Sequence, residues 1–256
     1  MKEAIVSYKQ IFDTNNKYDG KLVTQYVQQL QKLDAETPSL ASFVLVTNTS
    51  KQSYEFISED FEKTLGLDRA KMMSDGLKYY LSFYHPKDLP ILLKVFEDLM
   101  VFSMKELSIE QRQRVVYTWN YRIKNSDGEY KAMHVQQTPI YFDENGRPVI
   151  GYSQNTIVGD GRPRPLVATC KLLNGDNKYE TIFYKNYVNE SLQDILSKRE
   201  IEVIKLLSKG ESTKEIADHL NISDQTVAVH RKNIIKKTDL NSTAEIIAYC
   251  NRYRVF

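Results

Sequence analysis

Four basic side chains, Arg231, Lys232, Lys236 and Lys237, fall between Gln225 and Lys237 with no acid among them. On a helix, that composition suits a rod lying between the phosphate walls of a duplex major groove. Advancing about 100° per residue from Val227 puts Val227, Arg231 and Ile234 on one side. Gln225, Val229, Lys232 and Lys236 gather opposite, with Ala228 beside them. The small side chains of Ala228 and Val229 would let such a backbone approach base edges. His230 sits at the edge of the inner side, a place for packing or a phosphate bond and not for catalysis. The rival reading is a small helical bundle whose basic side is simply solvated, and helix and charge alone do not separate the two.

The elements that must hold this rod are marked by their starts. Ser197 with Glu200, Ser212 with Glu215 and Ser242 with Glu245 each have the Ser-x-x-Glu spacing, in which hydroxyl and carboxylate satisfy each other's orphan backbone N–H groups. The pattern predicts helices over Glu200 to Ser208, Thr213 to Leu220, Asp224 to about Lys237 and Thr243 to about Arg252, with the tight connection Asn221-Ile222-Ser223 between the second and third. Ser223 can cap the third helix, and Asp224 places negative charge at its positive dipole end. Thr226 stands where a box would need Glu, so that box is incomplete.

With its Arg199-Glu200 start, its Lys214-Glu-Ile-Ala217 helix and its Thr226-Val-x-x-His230 helix, this segment closely resembles the DNA-binding domain of the LuxR family of bacterial transcription regulators. The resemblance implies a helix-turn-helix whose Ala228, Val229 and Lys232 face bases. It also implies that Lys214, Gln225, Thr226, Arg231 and Lys236 lie near phosphate. The family often has Lys where this chain has Ala228, so a direct hydrogen bond to a base gives way there to an apolar contact, for instance with a thymine methyl. The fourth helix, with Ile246, Ile247 and Cys250, is the dimer contact by resemblance; core packing is the competing explanation.

Charge agrees with this placement. Residues 191–256 hold 11 Lys and Arg against 9 Asp and Glu, which accounts for the whole chain's net charge of +2. Affinity for phosphate should then come from clustering on one helix. At 256 residues and 41% hydrophobic content the chain can build two ordinary cores. No apolar run approaches the roughly 18 residues needed to span a bilayer, and the N terminus has no signal-peptide stretch, so a cytoplasmic protein with no membrane partner is expected. Cys170 and Cys250 lie in no ligand spacing and read as buried free thiols, with no metal site.

The N-terminal part changes period along its length. Apolar residues at 22, 23, 26, 27, 30 and 33 predict a one-sided helix with a Gln-rich outer surface, packed on a neighbour or on a dimer mate. Phe43 to Val46 and Tyr54 to Ile57 read as short strands. Ser58 opens a helix ended by Gly66, and a second begins near His85-Pro86-Lys87-Asp88 with Pro86 in its first turn. Tyr117, Trp119, Tyr121 and Ile123 then alternate with polar residues, followed by strands near Tyr130 to Phe142 and Pro148 to Val158. The order, with Glu59 to Leu67, His85-Pro-x-Asp88 and Ser126-Asp-Gly-Glu-Tyr130, resembles a PAS sensory domain over about residues 40–160. It implies a five-stranded antiparallel sheet with helices over one face, used for ligand sensing, dimerisation or both.

No cofactor is identified. The Asn-Cys-Arg-Phe-Leu-Gln stretch of the photoactive flavin subgroup is missing, and neither His85 nor His134 is placed as a haem ligand. The resemblance leaves room for a small-molecule ligand, with Trp119 and Tyr121 as candidate pocket residues, although aromatic residues on a strand also serve as core. Gly159 to Pro165 punctuates the end of this domain, and a hairpin is expected from Leu166 to Tyr184, either extending the sheet or relaying movement to the C-terminal domain.

The expected organisation is α+β: an N-terminal helical segment (1–36), a PAS-like domain (37–160), a linker with a hairpin (161–190) and a four-helix helix-turn-helix domain (191–256). The expected function is a bacterial transcription regulator that binds double-stranded DNA as a homodimer and meets RNA polymerase indirectly. The alternative is a sigma-factor-like promoter-recognition subunit, against which the strand-rich N-terminal half argues. No nucleophile triad, phosphate-binding Gly loop or metal spacing suggests an enzyme.

Overall fold

The structure, a computed structural model, describes residues 2–14, 21–188, 192, 195–238 and 240–253. They form two compact units, one of residues 1–162 with 166–185, the other of 163–165 with 186–256.

In the first unit, strands β1 (Ser42–Asn48), β2 (Ser53–Ile57), β3 (Val115–Lys124), β4 (Tyr130–Phe142), β5 (Pro148–Asp160), β6 (Val167–Leu173) and β7 (Tyr179–Asn186) make one sheet in the order β2-β1-β5-β4-β3-β6-β7. β1 pairs antiparallel with β2 and β5, and β3 with β4 and β6. The first five strands are those the sequence pattern predicted, nearly residue for residue. The sheet is nevertheless seven-stranded. The 166–185 hairpin, expected within a linker, lies beside β3 as β6 and β7, and the Thr118 and Thr169 hydroxyls bond across the junction at 2.8 Å.

Alternation gives each face its cover. Helix α1 (Lys2–Ile11), for which the sequence reading gave no separate bounds within its N-terminal helical segment, and helices α3 (Asp60–Leu65), α4 (Arg69–Asp75), α5 (Leu77–Leu81), α6 (Leu89–Glu106) and α7 (Ile109–Arg112) accompany the sheet. Phe43 meets Phe61 edge-on at 5.2 Å, and Trp119 meets Phe96 at 5.2 Å. Between α1 and β1, α2 (Lys21–Glu36) lays four residues of its predicted stripe on the other face, where Val23, Tyr26, Val27 and Leu30 pack on Val46, Phe56, Val149 and Ile150; Leu33, predicted to join them, is 59% exposed, and the side chain at 22 lies outside the described ones. The neighbour of the one-sided helix is therefore its own sheet.

Local chemistry fixes the helix ends. Gly66 closes α3 with φ +66°, a conformation that a side chain would strain. Ser58 does not open α3; its hydroxyl accepts the Val44 amide at 2.9 Å and ties the strand exit to β1. Pro86 precedes α6, and Pro90 occupies the first turn instead. Asp88 leaves that helix end uncapped because its carboxylate takes the Arg122 amide at 2.9 Å and the guanidinium Nε at 3.0 Å, pinning the start of α6 to β3. At the far end buried Arg112 gathers backbone carbonyls, Nε on Ser103 and Leu107, Nη2 on Met104 and Nη1 on Gly146, all within 3.1 Å. A cation there also complements the negative end of the helix dipole.

The second unit holds α8 (Lys198–Ser208), α9 (Thr213–Leu220), α10 (Asp224–Thr238) and α11 (Thr243–Tyr253), whose core includes Val203, Ile204, Ile216, Val227, Ile234 and Ile246. Their starts follow the capping chemistry. Complete boxes form at Ser197/Glu200 and Ser212/Glu215. The Glu245 amide donates to the Ser242 hydroxyl at 3.2 Å, yet the Glu245 carboxylate accepts the Asn241 amide at 2.7 Å, so the third box is shifted by one residue.

Candidate nucleic-acid interface

The interface is built around the connection of α9 to α10. Asn221 ends α9 in the left-handed conformation (φ 52°), with the Ile222 amide donating to Ala217 O at 3.0 Å. Asn tolerates that backbone better than other residues bearing side chains, and the chain reverses there without glycine. Ser223 then accepts the Thr226 amide at 3.1 Å, and the two hydroxyls bond at 2.8 Å. The Thr226 hydroxyl thus meets the Ser223 side chain, whereas a box glutamate would accept the Ser223 backbone N–H.

Val227 and Ile234 are fully buried beneath α10. Gln225, Ala228, Val229, Lys232 and Lys236 are exposed, Val229 to 50%, and Lys214 is exposed on α9. The proposed base-facing residues thus share one solvent-facing flank with Gln225 and Lys236. His230 is half-buried, at the margin where its angle put it.

Two basic residues of this helix turn inward. Arg231 was placed near phosphate by resemblance, but its guanidinium is held by Thr213 Oγ1 at 2.7 Å and by Thr243 Oγ1 at 2.9 Å. It ties the first residues of α9 and α11 to α10, because position 231 follows the buried stripe. Lys237 sits 2.8 Å from Glu200 Oε2, a carboxylate 3% exposed. That oxygen also accepts the Ser197 amide at 2.7 Å. Burial would raise the Glu200 carboxyl, but the Lys237 ammonium and Ser197 N–H groups outweigh it and hold the group below its usual range.

Arg199 makes the companion tie, to Glu202 at 2.7 Å and to the Leu220 carbonyl at the end of α9. The Arg199-Glu200 start is therefore a pair of braces, one to each helix of the reading unit. One candidate escaped the sequence reading: exposed Asn233 lies on the flank of Val229 and Lys236, and Asn suits bidentate recognition of adenine. The helical wheel carried that signal.

Of the candidate pocket residues, Tyr121 is 1% exposed and lies in a filled part of the core, its hydroxyl bonded to Tyr80 and its ring stacked on Tyr84 at 4.5 Å. Trp119 instead lines a cavity of about 60 Å³. Cys170 and Cys250 are buried free thiols, pushed up by burial to about 12 and about 11. Ile246 and Cys250 are buried in the helical core, while Ile247 is half-buried. No helix among the described residues is long and apolar enough to cross a membrane.

An antiparallel sheet domain with cupped helices, followed by a helical unit with a capped turn and a basic outer flank, resembles a PAS-like domain linked to a LuxR-type helix-turn-helix. Comparison with known proteins agrees. Residues 194–250 match the bacterial regulatory proteins of the luxR family, and residues 54–153 match the PAS fold. The oxygen regulatory protein NreC of Staphylococcus carnosus (strain TM300) is 39% identical over 83 residues, 29% of this chain and 38% of that protein. The fimbriae Z protein of Escherichia coli (strain K12) is 40% identical over 80 residues, 30% of this chain and 38% of that protein. The chain thus spans less than two fifths of the length of these curated relatives. A solved structure of the Vibrio cholerae VqmA dimer, described as bearing on LuxR-type receptors, covers 89% of this chain and 86% of its own at 15% identity and a TM-score of 0.32.

Proposed function

We propose that this chain is a bacterial transcription regulator that binds promoter DNA through α10 and is controlled by its PAS-like domain, through sensing, dimerisation or both. One observation carries the reading: the exposed flank of α10 presents Gln225, Val229, Lys232 and Lys236 with no acid, on a helix whose opposite side is fully packed. Such a flank fits a major groove, where Ala228, Val229 and Lys232 would meet base edges and Lys214, Gln225, Thr226 and Lys236 would meet phosphates. Arg231 joins them through whatever N–H capacity its threonine partners leave. The regulatory name of the relative NreC and the luxR-family match over residues 194–250 support the same reading.

A two-fold homodimer would place half-sites about one helical turn apart, roughly 10 base pairs. RNA polymerase would be met indirectly, at the promoter. Selection of bound sequences from a random duplex pool by the full chain tests the proposal. Enrichment of a motif with two such half-sites is expected; recovery of no motif, with binding that depends on salt alone, would refute it.

A further inference from the structure

The centre of the helix-covered sheet face is filled by Tyr54, Tyr80, Tyr84 and Tyr121, all buried. Beside it lies a cavity of about 60 Å³ between the sheet and α6, lined also by Tyr8 of α1 and by Phe12 just after that helix. Both residues precede the segment matching the PAS fold. By volume the cavity has room for about four to six waters, or for a molecule of about six to ten non-hydrogen atoms.

Its wall chemistry is selective. Phe12, Phe96, Leu99, Met100 and Trp119 make it largely apolar, and among the described residues lining it none is charged. An ion would lose hydration there with no opposite charge to replace it. Three hydrogen-bond donors on the wall lack partners among the described residues: the Tyr8 hydroxyl, the Trp119 indole N–H and the Gln137 carboxamide. Tyr8 is only 5% exposed as a residue, so its hydroxyl is a wall group of the cavity. Gly151 makes room for Gln137, since a Cβ there would come within 2.8 Å of its Nε2. The remaining hydroxyls are engaged, Ser103 donating to Leu99 O at 2.7 Å and meeting Tyr117 at 2.7 Å.

We propose that this cavity binds a small neutral molecule, apolar over most of its surface and bearing hydrogen-bond acceptor atoms, with α1 as part of its wall. The proposal gives the sensing role put forward above a ligand class and rests on that reading. Because α1 supplies Tyr8, and the residue that follows this helix is Phe12, occupancy is linked to the seating of α1.

Trp119 is the sole tryptophan, so selective excitation of the full chain reports on this wall. The probes are cyclohexanone, cyclohexylammonium, cyclohexanecarboxylate and methylcyclohexane, similar in ring but different in charge and acceptor. Cyclohexanone should change Trp119 emission saturably and bind at least tenfold more tightly than the other three. Tyr8→Phe and Gln137→Leu should each weaken it about fivefold, the loss of one hydrogen bond of ordinary strength. No saturable response to cyclohexanone, or equal responses to all four probes, would overturn the proposal. If motif binding survives that outcome, only this site falls; if cyclohexanone binds but no DNA motif is selected, the regulator reading fails and the site stands.

Discussion

Lys237 Nζ lies 2.8 Å from Glu200 Oε2, joining the far end of α10 to the beginning of α8 through a carboxylate that is itself almost wholly buried. A lysine that a charge count assigns to the DNA-facing side is thus an internal brace. With Arg199 fixed on the Leu220 carbonyl, adjacent residues of one helix set the placement of both α9 and α10. The angle at which the reading helix meets a duplex is therefore a property of the capping chemistry of α8.

Breaking the brace should loosen the reading unit before it alters base preference. Glu200→Ala removes the helix cap and Lys237's partner together, for an expected destabilisation of about 1–3 kcal/mol. Hydrogen exchange across α8 and α10 in the full chain measures it. Protection equal to that of the unsubstituted protein would show that the pair contributes nothing.

The same carboxyl gives the unit a pH signature. Folding holds the Glu200 group below its ordinary 4.5, so its contribution is complete above that value and is lost as pH falls through the lower, folded-state value. In urea titrations followed by circular dichroism, the stability gap between the unsubstituted chain and Glu200→Gln should be constant near neutrality and shrink below about pH 4.5. A gap that widened on acidification would contradict the ion pair.

Lys232 and Lys236 should fail differently when cut to Ala. If Lys232 reads a base, Lys232→Ala costs about 1–3 kcal/mol on the selected motif and little on unrelated duplex. Lys236→Ala should weaken both alike and reduce the slope of log affinity against log salt by about 1. Titration of motif and scrambled duplexes at several salt concentrations separates the two, and identical behaviour would remove the assignment of distinct roles.

Ala228 offers a gain-of-contact test. Ala228→Lys returns a donor to a position open to solvent, and a donor there favours guanine through its O6 and N7. The selected motif should shift toward G at one position per half-site; an unchanged motif would place Ala228 away from the base edges.

What could be read in the chain depended on how local the determinants were. The Ser-x-x-Glu boxes and the two-residue alternation of Tyr117 to Ile123 act over a few residues, and they located α8, α9 and the first five strands. The inward turn of Arg231 and Lys237 was not legible, because it depends on Thr213, Thr243 and Glu200 arriving from other helices. For the 166–185 hairpin the strands were visible and extension of the sheet was one of two readings, but the choice between them, and β3 as the neighbour, rests on tertiary pairing. Tyr121 and Trp119 looked alike as alternate residues of one strand, and only the tertiary packing of Tyr80 and Tyr84 distinguishes them.

Helix α6 is moored twice, by Asp88 on Arg122 at its head and by Arg112 on its last carbonyls at its tail. A beam anchored at both abutments resists sliding and rocking alike. A guest beside its midpoint would therefore press on a fixed frame on one side and on Tyr8 and Phe12 of the amino-terminal segment on the other.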